Sequence, residues 1–198
     1  MSHYYQNNSN LKENKQMVNY QYLGENLQFL TDSGVFSRTK IDFGTHVLLE
    51  TLKKLPITSD KILDVGCGYG AIGLSLAKTH PNASIVMVDV VKKAVELCLT
   101  NVKQNGIGNV TVIEEDLLEH INDQFDLIVS NPPIRAGKKT VFAIVDQAFL
   151  KLNDTGKLLF VIQKKQGALS LKQKMENVFG NSEIINKKNG YLILQSQK

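Results

Sequence analysis

Asn131-Pro132-Pro133-Ile134 is the segment of this 198-residue chain whose residue types point most directly to chemistry. Proline fixes φ and has no N–H for a sheet ladder, so Pro132-Pro133 makes a rigid exit from the preceding apolar run, residues 126–130. A strand terminator would need no more. Asn131 adds an amide oxygen beside a rigid carbonyl, and two acceptors at a stiff corner can hold both N–H groups of a planar amine. Such a nitrogen is a poor nucleophile because its lone pair is delocalised. Aiming that lone pair at an activated methyl makes transfer a matter of positioning and electrostatics, with positioning contributing at best about 7–11 kcal/mol. Arg135, Lys138 and Lys139 follow around Gly137, and Lys164 and Lys165 follow a later apolar run. Contact with the phosphates of a substrate strand is their functional reading, and a solvated surface is the alternative. Arg135 is one of only two arginines, with Arg38.

A second constellation, Asp64-Val65-Gly66-Cys67-Gly68-Tyr69-Gly70, stands where an apolar strand hands over to a helix. Glycines let the backbone turn sharply and come close to a ligand. In open α/β sheets, ligands bind outside the carboxyl ends of strands at the switch point. Gly66-x-Gly68-x-x-Ala71 alone would pass for a dinucleotide fingerprint. Two details favour S-adenosylmethionine. Asp64 precedes the first glycine by two residues, where a carboxylate can face an ammonium group and where a pyrophosphate would prefer no negative charge. The third glycine also arrives early, at Gly70. A tight turn without a ligand is the plainer alternative. At the end of the next strand, Asp89 can accept hydrogen bonds from both ribose hydroxyls, or it can simply cap the helix that follows.

These residues need a scaffold, and the hydropathy pattern supplies one. From residue 61 onward strands and helices alternate: strands at 62–65, 84–88, 110–113, 125–130 and 156–162, helices up to 78 and at 91–105, 139–152 and 169–179. Alternating βα units with continuously apolar strands give a parallel sheet covered on both faces. Strands at 183–186 and 191–195 close the chain as a hairpin. The expectation is an α/β fold with a doubly wound, Rossmann-like, mostly parallel seven-stranded sheet and a C-terminal antiparallel hairpin. Upstream, stretches 18–23 and 27–31 predict an N-terminal β-hairpin extension, and residues 44–55 a helix ended by Pro56. The division expected is an arm and hairpin over residues 1–43 and a methyltransferase domain over 44–198.

Composition narrows the setting. Hydrophobic residues at 42% and charged residues at 21% suit a globular protein, and the net charge of +4 is compatible with a nucleic-acid partner. Residues 1–16 are polar, so no secretory signal or membrane partner is expected. Cys67 and Cys98 lie far apart without metal-type spacing and the four histidines do not cluster, so no metal site and a reduced, cytoplasmic setting are expected.

The glycine turn resembles the first motif of class I S-adenosylmethionine-dependent methyltransferases, acid-x-Gly-x-Gly-x-Gly. The Asn131 corner resembles the Asn/Asp-Pro-Pro-aromatic signature of enzymes that methylate planar amino nitrogens of bases or of glutamine. From His3-Tyr4-Tyr5 to the last strand, the chain looks like small single-domain relatives of the bacterial 16S ribosomal RNA guanine-N2 methyltransferases. The most specific elements are Asp32-Ser33-Gly34-Val35-Phe36-Ser37, Ile41-Asp42-Phe43-Gly44-Thr45, residues 131–139 and Val161-Ile162-Gln163. The resemblance implies a catalytic corner of Asn131, Pro132, Pro133 and Ile134. Implied cofactor contacts are Phe36, Ser37, Gly44 and Thr45, then Asp64, Gly66, Cys67, Gly68, Tyr69 and Gly70, then Asp89, Val90, Asp116 and Leu117, and finally Asn131. Asp116 takes the place where the family holds the adenine amino group, although three acids in a row could equally be a solvated loop. Helix capping is the other reading of Asp42 and Thr45.

Two departures from the family matter. Ile134 stands where an aromatic ring stacks on the target base, which forgoes a contribution of ~1–3 kcal/mol. No second, degenerate domain like that of the better-known members is expected, which leaves room for dimerisation or a different RNA, so a monomer or homodimer is expected. The partner expected is ribosomal RNA or the small ribosomal subunit, with guanine N2 as the methylated atom. Adenine N6, a glutamine amide, a non-catalytic RNA-binding module and a dehydrogenase are the alternatives.

Overall fold

The computed structural model describes residues 14–35, 37–58, 60–132 and 137–198. The polar start of the chain, Phe36 and the stretch Pro133 to Ala136 therefore lie outside the described residues. The first described unit is a hairpin of β1 (Gln16–Tyr22) and β2 (Glu25–Thr31), followed by α1 (Phe43–Leu52). Then come β3 (Lys61–Val65), α2 (Ala71–Thr79), β4 (Ser84–Asp89), α3 (Lys92–Gln104), β5 (Val110–Glu114) and β6 (Phe125–Ser130). The chain ends with α4 (Gly137–Lys151), β7 (Leu152–Gln163), α5 (Ala168–Phe179), β8 (Glu183–Lys188) and β9 (Tyr191–Gln197).

Strands β3, β4 and β6 are buried almost without interruption. That pattern belongs to parallel strands with helices on both faces. The seven-stranded sheet runs β5-β4-β3-β6-β7-β9-β8, parallel from β5 to β7, with β9 antiparallel to both of its neighbours. Side chains alternate across it. Ile62 and Val129 join one apolar core with α1, α2, α3 and the hairpin, while Leu63 and Ile128 join a second core under α4 and α5. The expected doubly wound sheet, terminal antiparallel strands and N-terminal hairpin are all present.

Two boundaries differ most from the sequence-based expectation. Strand β7 starts at Leu152, directly after α4, because residues 153–156 form an irregularity and not a connecting turn. Phe125 pairs with Leu152 and Leu127 with Lys157, so the extra residues bulge between those pairs, with Thr155 at φ 68°. Helix α1 stops at Leu52, and Lys54 and Leu55 form tight N–H bonds back to Thr51 and Leu52.

The hairpin docks through two asparagines one turn apart, Asn101 on α3 and Asn105 at its C-terminal cap. Asn101 Oδ1 accepts from Leu30 N–H at 2.7 Å and its Nδ2 donates to Leu30 O at 3.0 Å; Asn105 does the same for Gln28. Side-chain amides thereby occupy the open edge of β2, which would otherwise present unpaired backbone groups. Asp32 anchors the end of the hairpin. Burial opposes its charge, but Lys93 at 2.8 Å and the N–H groups of Asn14 and Ser33 hold the carboxyl down at about 2. No helix among the described residues is long and apolar enough to cross a membrane.

Candidate active site

Strand β3 lies at the centre of the parallel part of the sheet, with β4 on one side and β6 on the other. The chain therefore winds outward in both directions from β3, and the carboxyl ends of the three strands meet at one edge. Gly66 and Cys67 N–H groups both donate to Val88 O, at 2.9 and 3.0 Å, and Ser130 Oγ donates to Val65 O at 2.8 Å. These bonds hold the ends of β3, β4 and β6 together. Gly66, Gly68 and Gly70 all have positive φ, at 73°, 57° and 98°, a conformation that β-carbons resist.

A cavity of about 970 Å³, counting its open mouth, lies over this edge. Its wall contains Ser37, Thr45, Gly66, Cys67, Gly68, Tyr69, Asp89, Val90, Asp116, Leu117, Asn131 and Pro132, all of them expected site residues. A β-carbon at Gly68 would meet nothing within 4 Å, so the bare backbone there borders open space. Asp89 takes the capping role considered for it. Its Oδ2 accepts from Gly68 N–H at 2.8 Å and its Oδ1 from Val91 N–H at 2.9 Å, which stiffens the turn and starts α3. Each carboxylate oxygen keeps a further lone pair for a ligand. Burial raises the Asp89 pKa, with the Val91 and Gly68 N–H groups pulling the other way.

Three expected cofactor contacts stand elsewhere. Asp64 is completely buried on β3, beneath α2, where its Oδ2 accepts from Gly73 N–H at 2.9 Å. Burial lifts its pKa to about 7, and its Oδ1 has no hydrogen-bond partner. The carboxylate supports the turn from below and does not form the cavity wall. Gly70 is needed for packing, since a β-carbon there would lie 2.8 Å from Cys98 Sγ. Gly44 is likewise packed, and a β-carbon would lie 2.8 Å from Tyr191 Cε1. Phe36, Pro133, Ile134 and Arg135 lie outside the described residues.

The segment before β3 reaches the cavity through hydrogen bonds that spacing could not reveal. Tyr69 Oη donates to Ser37 O at 3.4 Å, and buried Asn101 donates to Tyr69 O at 2.9 Å. Asp42 is the residue sequence reasoning undervalued. It caps α1, accepting from Thr45 N–H at 3.1 Å, and the same Oδ2 accepts from Asn131 Nδ2 at 2.9 Å. Asn131 Nδ2 also donates to Thr45 Oγ1 at 2.9 Å. A carboxylate can only accept, so Asp42 settles which end of the Asn131 amide is the NH₂. The remaining polar atom, Asn131 Oδ1, is an acceptor with no partner among the described residues.

On its other side, the Asn131-Pro132 corner borders a second cavity of about 900 Å³. Lys138, Val141 and Phe142 of α4, Ile162 and Gln163 of β7 and Tyr191 of β9 line it. Of the expected RNA contacts, Lys138 is on this wall, with Nζ 5.0 Å from the Phe142 ring centroid. Lys139, Lys164 and Lys165 are exposed, the last two on a 3-10 turn directly after Gln163. Cys67 and Cys98, distant in sequence, meet beneath the glycine turn, where the hydrogen bond between them and burial raise the Cys67 thiol pKa. No cluster of three metal-ligating side chains occurs among the described residues.

This donor set fits S-adenosylmethionine. Glycine backbone faces open space at one wall, a half-buried carboxylate with spare lone pairs stands at the end of β4, and apolar Ile72, Val88 and Ile144 complete the lining. Comparison with known proteins agrees. The model of the methyltransferase small domain matches residues 26–195. An uncharacterised Bacillus subtilis protein, YbxB, is 43% identical over 99% of this chain and 98% of its own. Ribosomal RNA small subunit methyltransferase C of Klebsiella pneumoniae is 35% identical over 83% of this chain and 48% of its own. Among solved structures, the T. thermophilus 16S rRNA N2 G1207 methyltransferase in complex with AdoMet and guanosine superposes with a TM-score of 0.83. It is 27% identical and the match covers 93% of this chain and 50% of that one. The chain thus spans about half the length of the ribosomal RNA methyltransferases it matches.

Proposed function

The chain belongs to the methyltransferase small domain family, and from that premise we propose that it methylates an exocyclic amino group of a nucleobase, guanine N2 of 16S ribosomal RNA, in the cytoplasm. The observation that carries this reading is that Asn131 and Pro132 belong to the walls of both cavities at once. A group held at that corner from the second cavity stands at the boundary of the first.

S-adenosylmethionine supplies an electrophilic methyl on a sulfonium that is already a good leaving group. The work left to the protein is positioning and charge placement. Asp89 and the backbone of Gly66 to Tyr69 hold the ribose and the methionine portion, with Asp116 and Leu117 at the adenine end. Asn131 Oδ1 and the Pro132 carbonyl accept the two N–H groups of the substrate amine and turn its lone pair toward the first cavity. Asp42 and Thr45 keep the amide from rotating, so the acceptor is in place before substrate arrives. Lys138, Lys139, Lys164 and Lys165 flank the entrance on the substrate side and contact phosphates.

The test is transfer of tritiated methyl to small ribosomal subunits and to their free RNA, with mass mapping of modified nucleosides in ribosomal RNA from a deletion strain. The expected result is label in N2-methylguanosine, and loss of one such nucleoside in the deletion strain. Label in adenine N6 or in a protein glutamine would replace the substrate, and no label in any RNA fraction would contradict the reading.

A further inference from the structure

We propose that Gln163 and Tyr191 act as a hydrogen-bonded pair that reads the ring edge beside the amino group, selecting a guanine-type edge over an adenine-type one. The inference rests on the methyl-transfer reading above and extends it to two residues outside the Asn-Pro-Pro corner. Gln163 and Tyr191 face each other across the β7–β9 ladder, and Gln163 Nε2 donates to Tyr191 Oη at 2.6 Å. Both line the second cavity with Asn131 and Pro132. Their bond leaves Gln163 Oε1 as an acceptor and the Tyr191 hydroxyl proton as a donor, neither engaged among the described residues.

The pair is held where it is. The Tyr191 ring packs against Phe43 at 5.5 Å between centroids, and Gly44 leaves room for it that any β-carbon would remove. Asp42 and Thr45, which flank Phe43 and Gly44, hold Asn131. One turn of chain at the start of α1 therefore positions both the amine acceptor and the tyrosine.

The order of donors and acceptors decides the match. Along guanine, the 2-amino group is followed by the N1–H donor and then the O6 acceptor. The ring nitrogens beside the adenine amino group are acceptors only. An acceptor at Gln163 followed by a donor at Tyr191 complements the guanine sequence. Against adenine it sets an oxygen lone pair opposite a ring-nitrogen lone pair and leaves polar groups unpaired.

Calorimetry of the protein saturated with S-adenosylhomocysteine, titrated with guanosine, 2-aminopurine riboside and inosine, tests this directly. 2-Aminopurine riboside keeps the amino group but has neither N1–H nor O6, and should bind wild type about 10-fold more weakly than guanosine. In Gln163→Leu and Tyr191→Phe that gap should shrink to about 2-fold, while affinity for S-adenosylhomocysteine, the control for folding, stays unchanged. Equal binding of the two nucleosides by wild type, or a full gap in both variants, overturns the pair. The underlying reading fails separately: inosine has the edge without the amino group, and binding it as tightly as guanosine contradicts the grip at Asn131. A wild-type complex that binds no guanosine overturns both.

Discussion

On one side of Asn131 and Pro132 the cavity is built on the glycine turn, with Gly66 and Gly68 bent at the end of β3 and fastened by Val88 and Asp89. On the other side the wall draws on α4, β7, α5 and β9 and includes the side-chain-bearing positions Lys138, Phe142, Gln163 and Tyr191. A turn of glycine backbone reads a ligand that never varies, and its shape depends on those glycines and on the buried Asp64 beneath them. A wall of side chains can be altered residue by residue without disturbing the sheet. Donor binding and substrate choice are therefore separable, and mutations should separate them.

Asn131→Ala should give the largest effect, because the residue serves the boundary itself. Removing a preorganised hydrogen-bonding group of this kind should lower turnover by about 10²–10³-fold, with S-adenosylhomocysteine affinity little changed in calorimetry. Asp89→Ala should do the reverse. It removes the acceptor for Gly68 and Val91 N–H and for the ribose, and should weaken S-adenosylhomocysteine by about 10–100-fold while nucleoside binding in the second cavity persists. Asp42→Asn restores a donor where only acceptors stood, so the Asn131 amide can turn over. Steady-state kinetics should show kcat reduced by about 10-fold with KM for the donor nearly constant.

Below the turn, Asp64 should make stability depend on pH. Its folded pKa of about 7 lies above the ordinary 3.8. Its contribution is therefore greatest below pH 3.8 and is lost as pH rises through 7, with a slope of at most about 1.4 kcal/mol per pH unit. Urea melts of wild type and Asp64→Asn between pH 4 and 8 measure it, and parallel curves would contradict the burial argument. The smallest effects belong to the rim. Lys164→Ala and Lys165→Ala should each reduce the slope of log affinity for RNA against log salt by about 0.7–0.9, leaving nucleoside binding untouched.

How much of this was legible in the sequence differs between the two cavities. The donor side is local: Asp64 to Gly70 is one uninterrupted turn, and Asp89 and Asp116 follow strands whose apolar runs are plain. What spacing leaves open there is direction. Asp64 alternates to the face shared with Ile62, so it points under α2, and one residue of strand register decides between wall and foundation. The substrate side is non-local. Tyr191 and Gln163 are neighbours only because β9 returns antiparallel to β7, and Asp42 reaches Asn131 only because α1 packs against β7 and β9. Asp42 carries a capping signal that conceals its second task, and nothing in its spacing marks it. Asn101 falls inside the helix expected at 91–105, and its bonds to Leu30 and Tyr69 exist only once the hairpin has docked.

A crystal structure with S-adenosylhomocysteine and guanosine bound together tests the division most directly. The sulfur is predicted in the cavity of Gly68 and Asp89 and the base in that of Gln163 and Tyr191. The guanine 2-amino nitrogen should lie within hydrogen-bonding distance of Asn131 Oδ1 and Pro132 O. Both ligands in one cavity, or an Asn131 amide released from Asp42 and turned away from the base, would contradict it.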